Sequence, residues 1–380
     1  VSRPALRFFQ IANGQGAGNI GDEVMNRAFW DALPATVELE VEVFPNAALQ
    51  SEPYPERHRY VPIDWEGRPA PSPAVPGLLV GDTPVTDTLG PAWPLRFLAP
   101  RLDAFHAASL PVDALGIGVE PLRSEEGRAL FAASFLKIRS WTVRSERCRA
   151  SLLELGVDPS RVAVGCDWAW LYRVRGDRSA WARGVLRGAG WDGRAPLLLA
   201  NVVNEIWSER ADAKRALARA LDRVAARGAA VAFFCQEMRP GAFFDQAAAA
   251  EVRAAMSAAS FVVPPEYYTP DEALALVSHA SATLSSRYHF TVQSVLAGVT
   301  PVTLARSAKM TGLLDELGAS AVASLEHVDD GAVARALEAA LDSGHDGRGR
   351  LAAVRDRLAA RATHNLDLWP PLLGGAPRAV

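Results

Sequence analysis

Ala282-Thr283-Leu284-Ser285-Ser286-Arg287-Tyr288-His289-Phe290-Thr291-Val292-Gln293-Ser294-Val295-Leu296-Ala297-Gly298-Val299-Thr300-Pro301-Val302 decides the fold. A short apolar run ends in two serines, an Arg and a His follow two positions apart, and a helix-like pattern then closes at Gly298. The pattern predicts a strand, a turn and a helix, with a cation and an acid/base group at the turn. In open α/β sheets ligands bind at such places, beyond the carboxyl ends of strands and against helix N-termini. Two residues apart in an extended segment, Arg287 and His289 can point to the same side. Two readings stay open from placement alone: a chemical site, or an Arg that holds a backbone carbonyl beside a His that caps the helix.

Outward from this unit the same alternation recurs. Leu6 to Ile11 reads as a first strand, followed by the glycine-rich loop Asn13 to Gly21 and a helix from about Asp22. Val37 to Phe44 alternates apolar and acidic residues as a half-buried strand does, and residues 45 to 76 read as an irregular, proline-rich excursion. Gly77 to Thr83, Leu110 to Val119, Ile138 to Arg144 and Val162 to Asp167 are further strands running into turns. A second series comprises the strands Pro196 to Val203, Ala229 to Cys235, Ser260 to Val263 and Pro301 to Leu304, with helices between them. Such alternation implies parallel, doubly wound sheets. The tail from Asp330 to Ala362 reads as helical and Ala/Arg-rich, and Arg173 to Arg194, charged and glycine-bearing, as a linker or boundary segment.

At 380 residues the chain exceeds the size of a single core. The expected architecture is α/β, two Rossmann-like domains facing a cleft: residues 1–180 form the first, and residues 181–380 the second, with the last helix packing back on the first domain. A net charge of −3, without basic runs, argues against nucleic acid as a main partner. Cys148, Cys166 and Cys235 are isolated and form no disulfide framework, which fits a reducing compartment. No stretch approaches the roughly 20 apolar residues of a membrane span, and the start lacks the apolar core of a secretory signal. A cytoplasmic protein is expected, at most peripherally associated with the inner face of a membrane.

Gly16-Ala17-Gly18-Asn19-Ile20-Gly21 satisfies G-x-G-x-x-G, with Glu40 and Glu42 about twenty residues on. The first glycine of a dinucleotide fingerprint should follow its strand almost at once, whereas Ala12 to Gln15 intervene. The plainer reading is a loop whose amides and Asn19 approach some other ligand, or a turn whose glycines serve packing. Arg144 stands at a strand end before a helix, as Arg287 does. Asp167, beside Trp168, stands at another strand end, and Tyr268 precedes the Pro270 helix. These aromatics could stack on a sugar or simply fill a core. No G-x-S-x-G nucleophile occurs, and the seven histidines form neither H-x-x-x-H nor HExxH pairs, so no metal site is expected.

In order, these blocks resemble the polysaccharide pyruvyl transferase family. The matching pieces are Gly18-Asn19-Ile20-Gly21-Asp22, Val143-Arg144-Ser145-Glu146 with Leu155-Gly156-Val157, Asp167 after a strand, Tyr268-Thr269-Pro270-Asp271-Glu272, Ser286-Arg287-Tyr288-His289 through Val302, and Lys309 to Gly318. Tyr288 stands where the family usually has Leu, Gly81-Asp82-Thr83 where it often has a glycine run, and Ser145 where it commonly has an acid. These departures bear on acceptor specificity rather than on the fold. The resemblance implies a fold like that of GT-B glycosyltransferases and transfer of pyruvate from phosphoenolpyruvate to a sugar as a ketal.

In that chemistry His289 would be the general acid/base, with Arg144 as its catalytic companion. Arg287, Lys309, Ser286 and Asn19 would hold the donor, and Asp22, Asp167, Trp168 and Tyr268 the acceptor, a sugar or lipid-linked oligosaccharide. A helix N-terminus favours neutral imidazole and a bound trianion favours imidazolium; donor binding is expected to prevail and leave His289 protonated. No cofactor is implied beyond phosphoenolpyruvate as substrate. The alternatives are a GT-B nucleotide-sugar glycosyltransferase and a catalytically silent carbohydrate-binding relative. Oligomeric state is not legible in the sequence.

Overall fold

The computed structural model describes residues 6–44, 54–63, 73–204, 210–239, 241, 244–343 and 347–369. The chain divides into two compact units. The first comprises residues 1–17, 22–172 and 357–380, and the second residues 18–21 and 173–356, so the division falls after Tyr172 and sends one short N-terminal segment to the second unit.

The first unit holds seven strands: β1 (Leu6–Gln10), β2 (Val37–Val43), β3 (Arg59–Pro62), β4 (Gly77–Val80), β5 (Val112–Ile117), β6 (Ser140–Val143) and β7 (Val162–Val164). They form one sheet in the order β3-β2-β1-β4-β5-β6-β7, every pair parallel. β4 lies mid-sheet and all four of its residues are buried, as a strand covered on both faces requires. β2 lies nearer the edge and keeps its Val/Glu alternation. Much of the expected excursion at 45–76 lies outside the described residues, but β3 falls within it and pairs with β2.

The second unit repeats the scheme with β8 (Leu197–Asn201), β9 (Ala230–Phe233), β10 (Ser260–Val262), β11 (Ala282–Ser285), β12 (Pro301–Ala305) and β13 (Ala323–Ser324), in the order β10-β9-β8-β11-β12-β13, again all parallel. In each sheet the order reverses direction beside the first strand, between β1 and β4 and between β8 and β11. At such switch points the connections leave to opposite sides and open a crevice at the carboxyl ends.

The helices are α1 (Ile20–Ala32), α2 (Phe97–Ala107), α3 (Glu125–Ser134), α4 (Glu146–Glu154), α5 (Ser179–Ala189), α6 (Ala211–Ala226), α7 (Asp245–Ala255), α8 (Pro270–Ser278), α9 (Tyr288–Leu296), α10 (Ala308–Leu317), α11 (Asp330–Ser343) and α12 (Gly347–Asp367). α8 begins with a capping box: Thr269 accepts from the Glu272 amide, and the Glu272 carboxylate accepts from the Thr269 amide. The segment expected as a linker or boundary, Arg173 to Arg194, begins where the second unit takes over from the first, but it carries α5 rather than an open linker. Its stripe of Ala182 and Leu186 is buried against α8, while Arg183 and Arg187 stay exposed. Charge on the outer face hid an ordinary amphipathic helix.

The tail is helical as expected and is divided between two helices, α11 and α12. The end of α12 belongs to the first unit. There Asn365 continues the hydrogen bonding past β7: its Nδ2 donates to Cys166 O at 2.8 Å, and its Oδ1 accepts from Cys166 N at 3.1 Å. Gly165 makes this approach possible, since a Cβ there would stand 1.7 Å from Asn365 Oδ1. Trp369 donates to Asp113 at 3.1 Å and packs on Phe8.

Candidate active site

The second unit gathers polar side chains at its switch point. β8 and β11 run in register to their ends, Asn201 beside Ser285. The chain then turns: Ser286 N donates to Asn201 O at 3.1 Å, and Ser285 Oγ donates to Arg287 O at 2.8 Å. Thr291 Oγ1, one turn into α9, bonds Ser285 Oγ at 2.9 Å and fixes the helix on the turn. Arg287 is the N-cap with extended backbone and makes no side-chain capping bond. The first N–H groups of α9, which have no partner within the helix, therefore lie at the carboxyl end of the sheet, a favourable place for an anion.

Arg287 is paired with a carboxylate. Its Nε donates to Asp245 Oδ1 at 2.7 Å, and its Nη2 lies 2.6 Å from the same oxygen. Asp245 is the first residue of α7, where the helix dipole favours a carboxylate. Beside it, burial and the Asp245 charge push the Cys235 thiol up to about 12, which leaves it inert as a nucleophile.

His289, half-buried, follows on α9. It is approached by the segment Gly18–Gly21, which is stitched to the loop after β9. Ile20 N donates to Gln236 O at 2.9 Å, Met238 N donates to Gly18 O at 3.1 Å, and Asn19 forms an antiparallel bridge with Glu237. Ile20 is buried in the same apolar cluster as Leu199, Phe234 and Phe290. At Gly21 a Cβ would stand 2.4 Å from His289 Cβ and 2.9 Å from its ring atoms Cγ and Nδ1, so only glycine admits the imidazole this closely. The Asn19 side chain caps the segment, its Oδ1 accepting from Gly21 N at 2.9 Å. One turn below His289, Gln293 donates to Gln236 Oε1 at 2.7 Å.

The expected donor residues Ser286, Arg287, Asn19 and Lys309 all belong to this unit, as does the expected acid/base His289. Lys309 stands in the first turn of α10, half-buried, after β12. Tyr268, expected to touch the acceptor, is almost wholly buried. It is buried between Trp181 and Phe234 with its hydroxyl given to Pro264 O at 2.9 Å, and burial pushes the phenol up.

The first unit carries Arg144, Asp22, Asp167 and Trp168. Arg144 is buried after β6, with Nη1 donating to Asp167 Oδ2 at 2.8 Å and Nη2 to Thr83 Oγ1 at 2.7 Å. Gly118 clears its path, since a Cβ there would stand 2.0 Å from Nη2. Asp167 also caps the short helical turn at 168–171 through Ala169 N, so its carboxylate is committed within the fold. Trp168 is fully buried, edge-on to Phe29, and donates to Leu115 O at 2.9 Å; it offers no face to a sugar. Asp22 opens α1, close to Gly14.

In the glycine loop close packing accounts for Gly16. Gly16, at φ +77°, lies against the Phe44 backbone, and Glu42 is buried, bonded to Ala12 N and Arg101. Burial pushes the Glu42 carboxyl up, partly offset by Arg101. Glu40 pairs with Arg59. A groove of about 590 Å³ over β1 and β2 is lined by the ion pairs Arg7–Glu38 and Arg59–Glu40 together with Arg57, and it includes none of the expected site residues. Asp245, Asn201 and Gln236 escaped the sequence reading; the one available signal was Asn201, a polar residue ending the apolar run of β8.

Among the described residues no cluster of His, Cys, Asp and Glu could hold a metal ion, and no helix is long and apolar enough to cross a membrane. The structure is similar to UDP-GlcNAc 2-epimerase from Neisseria meningitidis bound to UDP-GlcNAc (11% identity, TM-score 0.60, covering 98% of this chain and 100% of that one). It is likewise similar to a glycosyltransferase from Rickettsia africae (10%, 0.58, 98% and 100%) and to UDP-GlcNAc 2-epimerase from Methanocaldococcus jannaschii (12%, 0.57, 93% and 99%). At such identities the likeness establishes the fold, which is GT-B-like. No curated protein matches the sequence significantly. The sequence profile of the polysaccharide pyruvyl transferases matches residues 19–307, from Asn19 through the Arg287–His289 turn to Ser307. The chain belongs to the polysaccharide pyruvyl transferase family.

Proposed function

We propose that this transferase moves pyruvate from phosphoenolpyruvate to two hydroxyls of a sugar, free or lipid-linked, and forms a pyruvate ketal on a cell-surface polysaccharide or its precursor. The observation that carries the reading is His289 in the first turn of α9, held against Gly21 at the carboxyl end of the second sheet. The donor is a small, highly charged anion, which suits a helix N-terminus flanked by an Arg fork. Lys309, in the first turn of the neighbouring helix α10, would add a point charge.

His289 protonates the vinyl carbon of the donor and generates a cationic centre at the carbon bearing the phosphate. One sugar hydroxyl attacks that carbon and gives its proton back to the imidazole. The second hydroxyl then displaces inorganic phosphate, which leaves with that hydroxyl's proton, and the ring closes. Bound trianion keeps the imidazole charged until the proton is needed. Atoms balance as donor plus diol giving ketal plus phosphate, and the sequence of steps calls for no further cofactor. The work would take place in the cytoplasm, where the donor is made available and the thiols remain reduced.

The test is phosphate release and mass gain on a panel of aryl and lipid-linked glycosides, with melting measured beside it. Phosphoenolpyruvate should raise the melting temperature. His289→Ala should abolish turnover and keep the melting temperature of the parent. Stabilisation by a UDP- or GDP-sugar instead, or an active His289→Ala enzyme, overturns the assignment.

A further inference from the structure

We propose that Asp245 is the positioning residue of the donor site: it fixes the Arg287 guanidinium at the start of α9 and cancels its charge. The inference rests on the donor assignment above and extends it to a residue that touches no substrate. Arg287 is 8% exposed and Asp245 1%. Both Nε and Nη2 of Arg287 converge on Oδ1, at 2.7 and 2.6 Å. The second carboxylate oxygen is itself saturated, accepting from Asn201 Nδ2 and from Gln236 N, each at 2.8 Å. Asn201 is anchored in turn, donating to Phe234 O at 3.0 Å while its carbonyl accepts from Ser286 N. The acid is thus held by the end of β8, the loop after β9 and the first turn of α7. None of these can shift without moving the guanidinium.

A buried ion pair is a poor device for stability, because apolar replacements of both partners are often as stable or more so. Removing one partner alone is costly, since a charge is left buried. The arrangement instead gives orientation: a guanidinium whose Nε edge is occupied presents its remaining donors in one direction. Because the pair is neutral, it recognises the donor by geometry rather than by net charge, and the Gln236 amide ties that geometry to the strand-like segment that approaches His289.

A cycle of Asp245→Ala, Arg287→Ala and the double variant tests this, with phosphoenolpyruvate as donor and phosphate release as readout. Misplacing the guanidinium by about 1 Å should lower kcat/KM of Asp245→Ala by roughly 100-fold. Because Asp245 acts through Arg287, the double variant should be no worse than Arg287→Ala, and should melt higher, since no buried charge is left alone. Millimolar guanidinium should restore part of the lost turnover in Arg287→Ala, where Asp245 can still seat it, and none in the double variant.

Parental kcat/KM in Asp245→Ala, losses that multiply in the double variant, or equal guanidinium rescue with and without Asp245 each overturn the proposal. If Asp245→Ala fails to fold, the rescue comparison between Arg287→Ala and the charge-free double variant still decides it. A parent that releases no phosphate from phosphoenolpyruvate overturns the functional reading itself, and the positioning role with it.

Discussion

Replacement of Gly21 by Ala adds one methyl group to a residue that titrates nothing, yet it should disable the proposed active site. The added carbon would stand 2.4 Å from His289 Cβ, where ordinary contact begins near 3.4 Å, so one side must yield by about 1 Å. Gly21 is the second residue of α1 and its φ is not positive, so alanine carries no backbone strain and gains up to about 1 kcal/mol of helix propensity. Overpacking costs about 1–3 kcal/mol, so the two effects largely offset in global stability. Catalysis has no such compensation. A 1 Å displacement of a reacting group costs on the order of 100-fold, equivalent to about 2.7 kcal/mol of barrier. The expected signature is a kcat about two orders of magnitude lower at a nearly unchanged melting temperature, read by phosphate release beside thermal unfolding. Gly16→Ala provides the contrast: at φ +77° its Cβ would stand 2.2 Å from a backbone oxygen, and it should fail in folding rather than in turnover. A Gly21→Ala enzyme with parental turnover would refute the contact, and with it the idea that the glycine loop is shaped around His289.

His58 is buried, with Nδ1 accepting from Leu39 N at 3.2 Å, and burial with the Arg57 charge lowers it from 6.5 to about 4. The folded state therefore keeps it neutral, so its contribution is complete above pH 6.5 and declines toward pH 4, at no more than about 1.4 kcal/mol per unit; His58→Asn, which keeps an acceptor, should flatten urea-unfolding stability over that window. Tyr268→Phe and Trp168→Phe should each lower stability, by about 1 kcal/mol or more, and leave the KM for acceptor sugar unchanged; a raised acceptor KM would return these rings to the binding surface. Asn365→Ala strands the Cys166 N–H and C=O and should cost about 2–4 kcal/mol in chemical denaturation, whereas a loss below 1 kcal/mol would mean that the α12 anchor contributes little.

The central strands were legible because a parallel strand covered on both faces must be apolar, as β4 is throughout and β8 is up to its last residue, Asn201. The position of the Arg-Tyr-His turn followed from the same logic, since the ends of such strands are where chains turn into helices. Partnership was not legible. Arg287 and Asp245 are 42 positions apart and meet only because β8, β9 and β11 are neighbours. Nothing local to Gly21 signals that its missing side chain makes room for His289. Trp168 and Tyr268 show the opposite limit: an aromatic at a strand end or helix start has the composition of a sugar platform, and only its neighbours decide whether a face remains open. α5 was missed because its buried stripe is narrow, two residues wide, among exposed arginines and glycines.

The two arginines singled out by sequence follow one physical rule. Arg144 and Arg287 each leave a parallel strand, each is buried, and each meets a carboxylate at the start of a helical segment, Asp167 before the turn at 168–171 and Asp245 in α7. An acid in that position is stabilised by backbone N–H groups and holds its partner. Neither arginine is therefore a bare cation awaiting an anion. An anionic donor that enters the second unit would encounter a neutral pair, the amide edge of α9 and the charge of Lys309. Its affinity must then come mainly from directed hydrogen bonds, which depend on the position of each donor group far more steeply than a diffuse field does. That dependence explains why a site of so few polar side chains is supported by so many fixed contacts. It also explains why a methyl group at Gly21 or a missing carboxylate at Asp245, neither of which touches substrate, should count as heavily as the loss of a charge.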